Sequence, residues 1–239
     1  MEFETIGKSA RTDKILHGYQ RFYPREIEQL RDIDFAMIEI GFGHGNSLQL
    51  WKQYFPYAQI FIMDDRIEHI DERSIVYKGD QGNLDNLKNF VSVIENNTKL
   101  PICFINDDGS HCPVHQITTF DFLFSRVLIS GGVYIIEDIE TSYGGFQEKK
   151  YGLYDSGSIV EKFKLLMDYT NRIYMTPEDI EILEEKTNFV SPETKQNILS
   201  ISIQQNCIIV HKKDPTRDYA FDNRTYIQKY LQGAWDTWI

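Results

Sequence analysis

FAMIEIGFGHGNSLQLWKQYF, residues 35–55, decides the fold. Its first six residues form an apolar run broken only by Glu39, the pattern of a strand buried on both faces. Glycines follow at 41, 43 and 45, and then Leu48, Trp51 and Phe55 recur at helical spacing. Glycines in a strand-to-helix turn let the backbone approach a ligand closely, and the helix N-terminus presents unpaired N–H groups to it. The dinucleotide fingerprint is GxGxxG. This turn is GxGxG with Glu39 two residues before it, a version that suits a nucleoside cofactor without a pyrophosphate. Packing alone also produces glycine-rich turns.

The same alternation continues outward. AQIFIM (58–63) reads as a second strand ending on Asp64 and Asp65, and SIVYK (74–78) as a third. NLDNLKNFVSVIE (83–95) places Leu84, Leu87, Val91 and Ile94 on one helical stripe. LPICFI (100–105) is a fourth strand, ITTFDFLFSRVL (117–128) a helix and GGVYII (131–136) a fifth strand. Strands separated by helices of this length imply right-handed crossovers and an α/β fold with a doubly wound, mostly parallel sheet. Beyond residue 157, SIVEKFKLLMDYTNR (158–172) predicts a long helix, whereas PEDIEILEEKTNFVSPETKQN (177–197) reads as charged loop. ILSISIQQNCIIVHKK (198–213) alternates on either side of a Gln-Asn turn and predicts an antiparallel hairpin closing the sheet. With no internal repeat and no linker, one domain over residues 1–239 is the expectation.

Composition narrows the functional classes. The 239 residues are 41% hydrophobic and 13% aromatic, which suits a folded chain with a sizeable core. No apolar run approaches the ~20 residues of a membrane span, and MEFETIGKSARTDK has no apolar signal core. Cys103, Cys112 and Cys207 form neither a CxxC pair nor an even set, which points to a reducing, cytoplasmic setting. A net charge of −11 argues against a nucleic-acid partner.

INDDGSHCPVHQ (105–116) is the densest stretch in metal-ligating and proton-moving groups. In an open α/β sheet, ligands bind beyond the carboxyl ends of the strands, where strand order reverses. The glycine turn, DDGSH (107–111) and EDIETSY (137–143) each follow a strand, so the three converge on one crevice. Asp-Gly-Ser is also ordinary turn chemistry, and Glu-Asp at a strand end can simply be solvated.

Together these features resemble a known family. The ExGxGxG turn, an acidic end to the second strand, GDQ (79–81) and the closing hairpin resemble S-adenosylmethionine-dependent methyltransferases of the Rossmann-like class I fold. More narrowly, TDKILHGYQRFY (12–23), EIGFGHGNSLQLWKQYFP (39–56), DDGSH (107–111) and YIIEDIETSY (134–143) resemble the metal-dependent sugar O-methyltransferases of macrolide biosynthesis, the mycinamicin and macrocin group. Related domains methylate rhamnose in glycans. The resemblance implies methyl transfer to a sugar hydroxyl of a glycan or glycosylated metabolite, with S-adenosylmethionine and Mg²⁺ (or Mn²⁺) as cofactors. It places the cofactor at Glu39, Gly41, Gly43, Gly45, Asp64, Asp80 and Gln81, with Asp107 turned to the cofactor side or structural. It makes Asp108, Glu137 and Asp138 the metal ligands and His111 the general base. Three carboxylates suit Mg²⁺, which prefers oxygen ligands, and a cation acidifies a hydroxyl whose proton a histidine then takes. Where a family member carries Asp in place of Glu137, the longer side chain here keeps the charge but would shift the ion by about a carbon–carbon bond.

The resemblance makes residues 1–34 a helical lid that brings Asp13, Lys14, His17 and Tyr19 near the site, an exposed amphipathic helix start being the alternative for each, and makes 146–197 the variable acceptor side. His115 packs or faces water, Cys112 is a small filler, and His44 is either a tolerated surface side chain or a neighbour of the cofactor. Tyr143 and Phe146 stack on a sugar or simply pack. YLQGAWDTWI (230–239) is a homo-oligomer contact if exposed and a docked terminus otherwise. Two other readings stand beside this one. A catechol-type O-methyltransferase typically shows Asp-Asn where this chain has Glu137-Asp138 and lacks the histidine of DDGSH. A non-catalytic scaffold has no physical reason to keep three carboxylates together.

Overall fold

Six consecutive buried residues, Phe35–Ile40, form the central strand β1 of a mixed sheet in the computed structural model, which describes residues 2–143, 157–214 and 216. The other strands are β2 (Ala58–Asp64), β3 (His69–Ile70), β4 (Ser74–Lys78), β5 (Ile102–Asp107), β6 (Leu128–Glu137), β7 (Ile198–Gln204) and β8 (Cys207–Lys212). They lie in the order β3-β4-β2-β1-β5-β6-β8-β7. From β4 to β6 all pairing is parallel, while β8 runs antiparallel to β6, and β7 to β8. The predicted doubly wound sheet and closing hairpin are both present. The two-residue edge strand β3 is too short to leave a periodic signal.

Helices cover both faces, and alternate residues of each strand feed opposite layers. Ile38, Ile40, Phe61 and Met63 point to α4 (Leu84–Asn97), α5 (Pro113–Arg126) and α6 (Ile159–Thr170), where Leu87, Phe90, Phe120 and Phe163 complete one core. Phe35, Met37, Ile60 and Ile62 point the other way. They meet α1 (Phe3–Ala10), α2 (Tyr23–Ile27) and α3 (Asn46–Tyr54) through Phe3, Ile6, Tyr23, Leu48 and Trp51.

The structure corrects some boundaries. β5 runs two residues past the expected end, so Asp107 is a buried strand residue and the turn starts at Asp108. The predicted helix 117–128 starts earlier, at Pro113, and residues 128–130 belong to β6. The segment 177–197, expected to be loop, instead carries helices α7 (Pro177–Lys186) and α8 (Pro192–Asn197). Their start signals are local: the hydroxyls of Thr176 and Ser191 accept the N–H groups of Asp179 and Thr194, each with Pro at the first helical position. Phe146 and residues 230–239 lie outside the described residues, as does part of the 146–197 segment. Among the described residues no helix is long and apolar enough to cross a membrane.

This topology sets the place of the site. The chain leaves β1 for β2 on one side, and β5 lies on the other, so strand order reverses between β1 and β5. Ile40 is level with Asp107, and Asp107 with Ile136. Gly41 has φ +94°, and a Cβ there would lie 2.1 Å from the Asp108 carbonyl oxygen. The turns after β1 and β5 therefore touch, and only glycine fits between them. Because β8 is antiparallel to β6, with Cys207 opposite Glu137, the Gln205–Asn206 turn reaches the same edge.

Candidate active site

A cavity of about 800 Å³ opens over this edge, a volume in the range of small-molecule sites. Its wall runs from the glycine turn, Asp64, Asp65, Asp80 and Gln81 to Asp108, His111 and Asp138, with Arg11 and Asp13 contributed by the N-terminal segment. Gly43, at φ +55°, faces open space: a Cβ there meets no atom within 4 Å.

At one end, Asp64 accepts the N–H of Phe42 on Oδ2 (2.9 Å) and those of Arg66 (2.9 Å) and Ile67 (3.1 Å) on Oδ1. Burial would raise its pKa, but these N–H bonds outweigh it and hold the carboxyl below the usual range. Asp80 is exposed and braces its own turn by accepting Gly82 N–H at 2.8 Å. Gln81 is buried. Its amide donates to Asp107 Oδ1 (3.1 Å), and its Oε1 accepts the Ser110 N–H (2.6 Å), so it ties the loop after β4 to the turn after β5. Asp107 and Glu39 lie beneath the cavity rather than in its wall. Burial pushes Asp107 up to about 6, against hydrogen bonds from Gln81 and Tyr134. Glu39 accepts from the Ser47 hydroxyl (2.9 Å), Trp51 Nε1 (2.9 Å) and Asn106 Nδ2 (3.3 Å), and burial raises its pKa as well.

At the other end, Asp108, His111 and Asp138 bring ligand atoms within 4.8 Å of one another. His111 Nε2 lies 3.8 Å from Asp138 Oδ2. Both residues sit in the left-handed region, at φ +54° and +56°, which costs roughly 1–2 kcal/mol for an L-residue. Local bonds hold the strain: the Thr141 hydroxyl donates to the His111 carbonyl at 3.2 Å, and Asp138 N donates to the Tyr19 hydroxyl at 3.1 Å. His111 Nδ1 is buried without a partner among the described residues. Asp138 is raised by burial and by the neighbouring Asp108 charge. Glu137 lies deeper, 1% exposed. Its Oε1 accepts from Lys14 Nζ (2.8 Å) and from the Tyr23 hydroxyl.

Lys14 is fully buried among Asp108 (2.8 Å), Glu137 (2.8 Å) and Glu39 (3.4 Å). Burial alone would lower its pKa, but the three carboxylates outweigh that and keep it charged. Tyr19 OH donates to Asp138 Oδ1 at 2.6 Å. His17 Nδ1 pairs with the Asn206 amide, which also reaches Asp138 Oδ1 at 3.2 Å. The N-terminal segment thus folds over the carboxylates, as anticipated for Lys14, His17 and Tyr19, and Asp13 lines the cavity.

His44 and His115 line the cavity, and His115 Nδ1 pairs with the Ser110 hydroxyl at 3.1 Å. Cys112 is half-buried at the start of α5, and Tyr143 is exposed. Tyr23, Asn106 and Asn206 were not anticipated. Asn206 was legible in principle, because a hairpin antiparallel to β6 must turn at this edge.

The residues present fit both a nucleoside ligand and a small hard cation. The glycine turn leaves room beside acceptors at Asp64 and Asp65, and the ligand atoms of Asp108, His111 and Asp138 converge in the wall of the same cavity.

No protein-family model matches the chain. Over 208 residues, 82% of the chain, it is 30% identical to the mycinamicin VI 2''-O-methyltransferase of Micromonospora griseorubida, of which it covers 48%. Over 137 residues it is 34% identical to the 8-demethyl-8-alpha-L-rhamnosyl tetracenomycin-C 2'-O-methyltransferase of Streptomyces olivaceus, of which it covers 35%. Among solved structures, it superposes on the MycE methyltransferase in complex with Mg, SAH and mycinamycin VI. The TM-score is 0.70 and the identity 27%, over 89% of this chain and 55% of that one. The chain thus spans about half the length, or less, of the curated relatives it matches. Over the part it shares with them, it is a homologue of the sugar O-methyltransferases of the mycinamicin and macrocin group and has their class I methyltransferase fold.

Proposed function

We propose that the chain is an S-adenosylmethionine- and divalent-metal-dependent O-methyltransferase acting on a sugar hydroxyl, that of a deoxy-sugar such as rhamnose in a glycan or glycosylated metabolite. One observation carries the reading: the glycine turn and the Asp108–His111–Asp138 cluster open onto one cavity. S-adenosylmethionine would supply an electrophilic methyl group, and Mg²⁺ would lower the pKa of a hydroxyl it polarises. Gly41, Gly43 and Gly45 would cradle the cofactor, with Asp64 toward its ribose. Asp64 Oδ2 accepts a single backbone bond and so keeps acceptor capacity. Asp80 and Gln81 would border the base, while Glu39 and Asp107 would act from beneath the turn. Asp108, Glu137 and Asp138 would hold the cation. His111 Nε2 would take the hydroxyl proton as the methyl group passes from the sulfonium sulfur to the sugar oxygen, leaving SAH, and the Asp138 carboxylate nearby would stabilise the charged ring. The name of the tetracenomycin relative specifies 2'-O-methylation of a rhamnosyl compound, and the structure of MycE holds Mg, SAH and mycinamycin VI, which supports the same assignment here.

The test is a mass-shift assay with S-adenosylmethionine, Mg²⁺ and a panel of rhamnosides and other deoxy-sugar glycosides. The expected result is a single added methyl group that disappears when metal is stripped with EDTA, while SAH affinity by calorimetry persists. Full turnover in excess EDTA, or methylation of catechols but of no glycoside, would contradict the reading.

A further inference from the structure

Each of the three carboxylates at the acceptor end is gripped by one oxygen, and one short stretch of chain supplies a donor to each, joined at Asp138 Oδ1 by the Asn206 amide at 3.2 Å. Lys14 Nζ donates to Asp108 Oδ2 at 2.8 Å and to Glu137 Oε1 at 2.8 Å. The Tyr23 hydroxyl donates to that same Glu137 Oε1. The Tyr19 hydroxyl donates to Asp138 Oδ1 at 2.6 Å. The second oxygens, Asp108 Oδ1, Glu137 Oε2 and Asp138 Oδ2, accept no hydrogen bond among the described residues. Apart from Asn206, the donors come from residues 14–23, and the acceptors lie at or just past the ends of β5 and β6, up to 123 residues away.

Simple packing of the segment would not require this division. A carboxylate has acceptor sites on both oxygens, and three carboxylates buried against a lysine and two tyrosines could share donors in many ways. Here every donor falls on one side. The rings are also locked: Tyr19 stacks on His17 and on Tyr23 at 5.5 Å each, and Tyr23 stacks on Trp51 at 6.1 Å. A stacked, buried hydroxyl fixes its acceptor's rotamer. Partners that orient a ligand from behind typically contribute about 10–100-fold to metal affinity.

We propose that the segment 12–23 is the positioning layer of the cation site. Lys14 and Tyr19 hold the back oxygens of Asp108 and Asp138 so that their front oxygens are presented together, while Lys14 and Tyr23 hold Glu137 beneath them, and cation binding and closure of this segment stabilise one another. This inference rests on the functional reading above, but it concerns different residues. Lys14, Tyr19 and Tyr23 are positioning residues and touch neither the acceptor nor the ion. Because coupling between two events is reciprocal, an ion that binds better to the closed segment must also hold it closed.

Mn²⁺ serves as the probe, followed by electron paramagnetic resonance on the metal-stripped full chain without acceptor. Tyr19→Phe removes the hydroxyl and keeps the stacked ring. It is expected to weaken Mn²⁺ binding by about 10–100-fold while SAH affinity stays within twofold or so of the wild type. The wild-type chain gives a second measurement needing no variant: Mn²⁺ is expected to slow amide hydrogen exchange across residues 12–23. Wild-type Mn²⁺ affinity in a folded Tyr19→Phe protein, or exchange across 12–23 that ignores Mn²⁺, overturns the inference. Asp138→Asn separates it from the reading it rests on. If Asp138→Asn binds Mn²⁺ as the wild type does, the cation lies elsewhere and both fail. If Asp138→Asn loses the ion and Tyr19→Phe does not, only the positioning layer fails.

Discussion

Lys14 and Asp108 meet as an ion pair 94 residues apart in sequence, with the ammonium 2.8 Å from the carboxylate and no part of Lys14 exposed. The pair fastens the N-terminal segment to the turn after β5. Lys14→Met keeps the apolar stem and deletes the charge, leaving Glu39 and Glu137 buried without their counter-ion. Breaking a buried pair in this way costs about 3–5 kcal/mol, which urea unfolding of the metal-free protein should show. A loss below about 1 kcal/mol would mean the lysine is dispensable to the fold.

Gly43 tests the cofactor end. Its backbone conformation tolerates Asn better than a branched residue, and a side chain there enters open space beside the glycine turn. Gly43→Asn should keep the fold and weaken SAH binding at least tenfold, about 1.4 kcal/mol by calorimetry. Unchanged affinity would move the cofactor away from this turn.

His111 tests the base. His111→Asn preserves a residue that accepts the left-handed backbone and removes the proton acceptor. Methyl transfer should fall about 10²–10⁴-fold, with SAH affinity intact. His115→Ala serves as the control, because His115 bonds Ser110 at the cavity rim. A crippled His115→Ala beside an active His111→Asn would reverse the assignment.

Asp107 gives a pH signature. Its pKa is raised from 3.8 to about 6, so its contribution to stability is fully present below about pH 4 and is lost as pH climbs through 6. The shift corresponds to about 3 kcal/mol. Asp107→Asn does not titrate. Its stability relative to the wild type should therefore rise by up to that amount between pH 4 and 7, in urea titrations at each pH. A difference that stays flat or shrinks would show that the carboxylate is better solvated than its burial implies.

The alternation of strands and helices was readable because buried parallel strands are continuous apolar runs and the glycine turn marks the first crossover. The helices α7 and α8 were not read, because their charged faces mask the apolar stripe and only the Thr176 and Ser191 caps announce them. For the site, motif position brought out Asp108, His111 and Asp138, which the fold gathers. It did not show that Gln81 and Asp107 brace one another, or that Glu39 ties the first strand to α3. Those partnerships depend on which way Glu39 and Asp107 leave their strands, and a shift of one position reverses that.

The left-handed backbone at His111 and Asp138 bears on how this protein would respond to selection. Glycine at either position would relieve the local strain and abolish the side chain that the chemistry uses. A library screened for heat resistance alone should therefore drift toward Gly or Asn at these two positions, gaining melting temperature as it loses turnover. Retention of both residues under such a screen would show that the surrounding network repays the strain within the folded state itself.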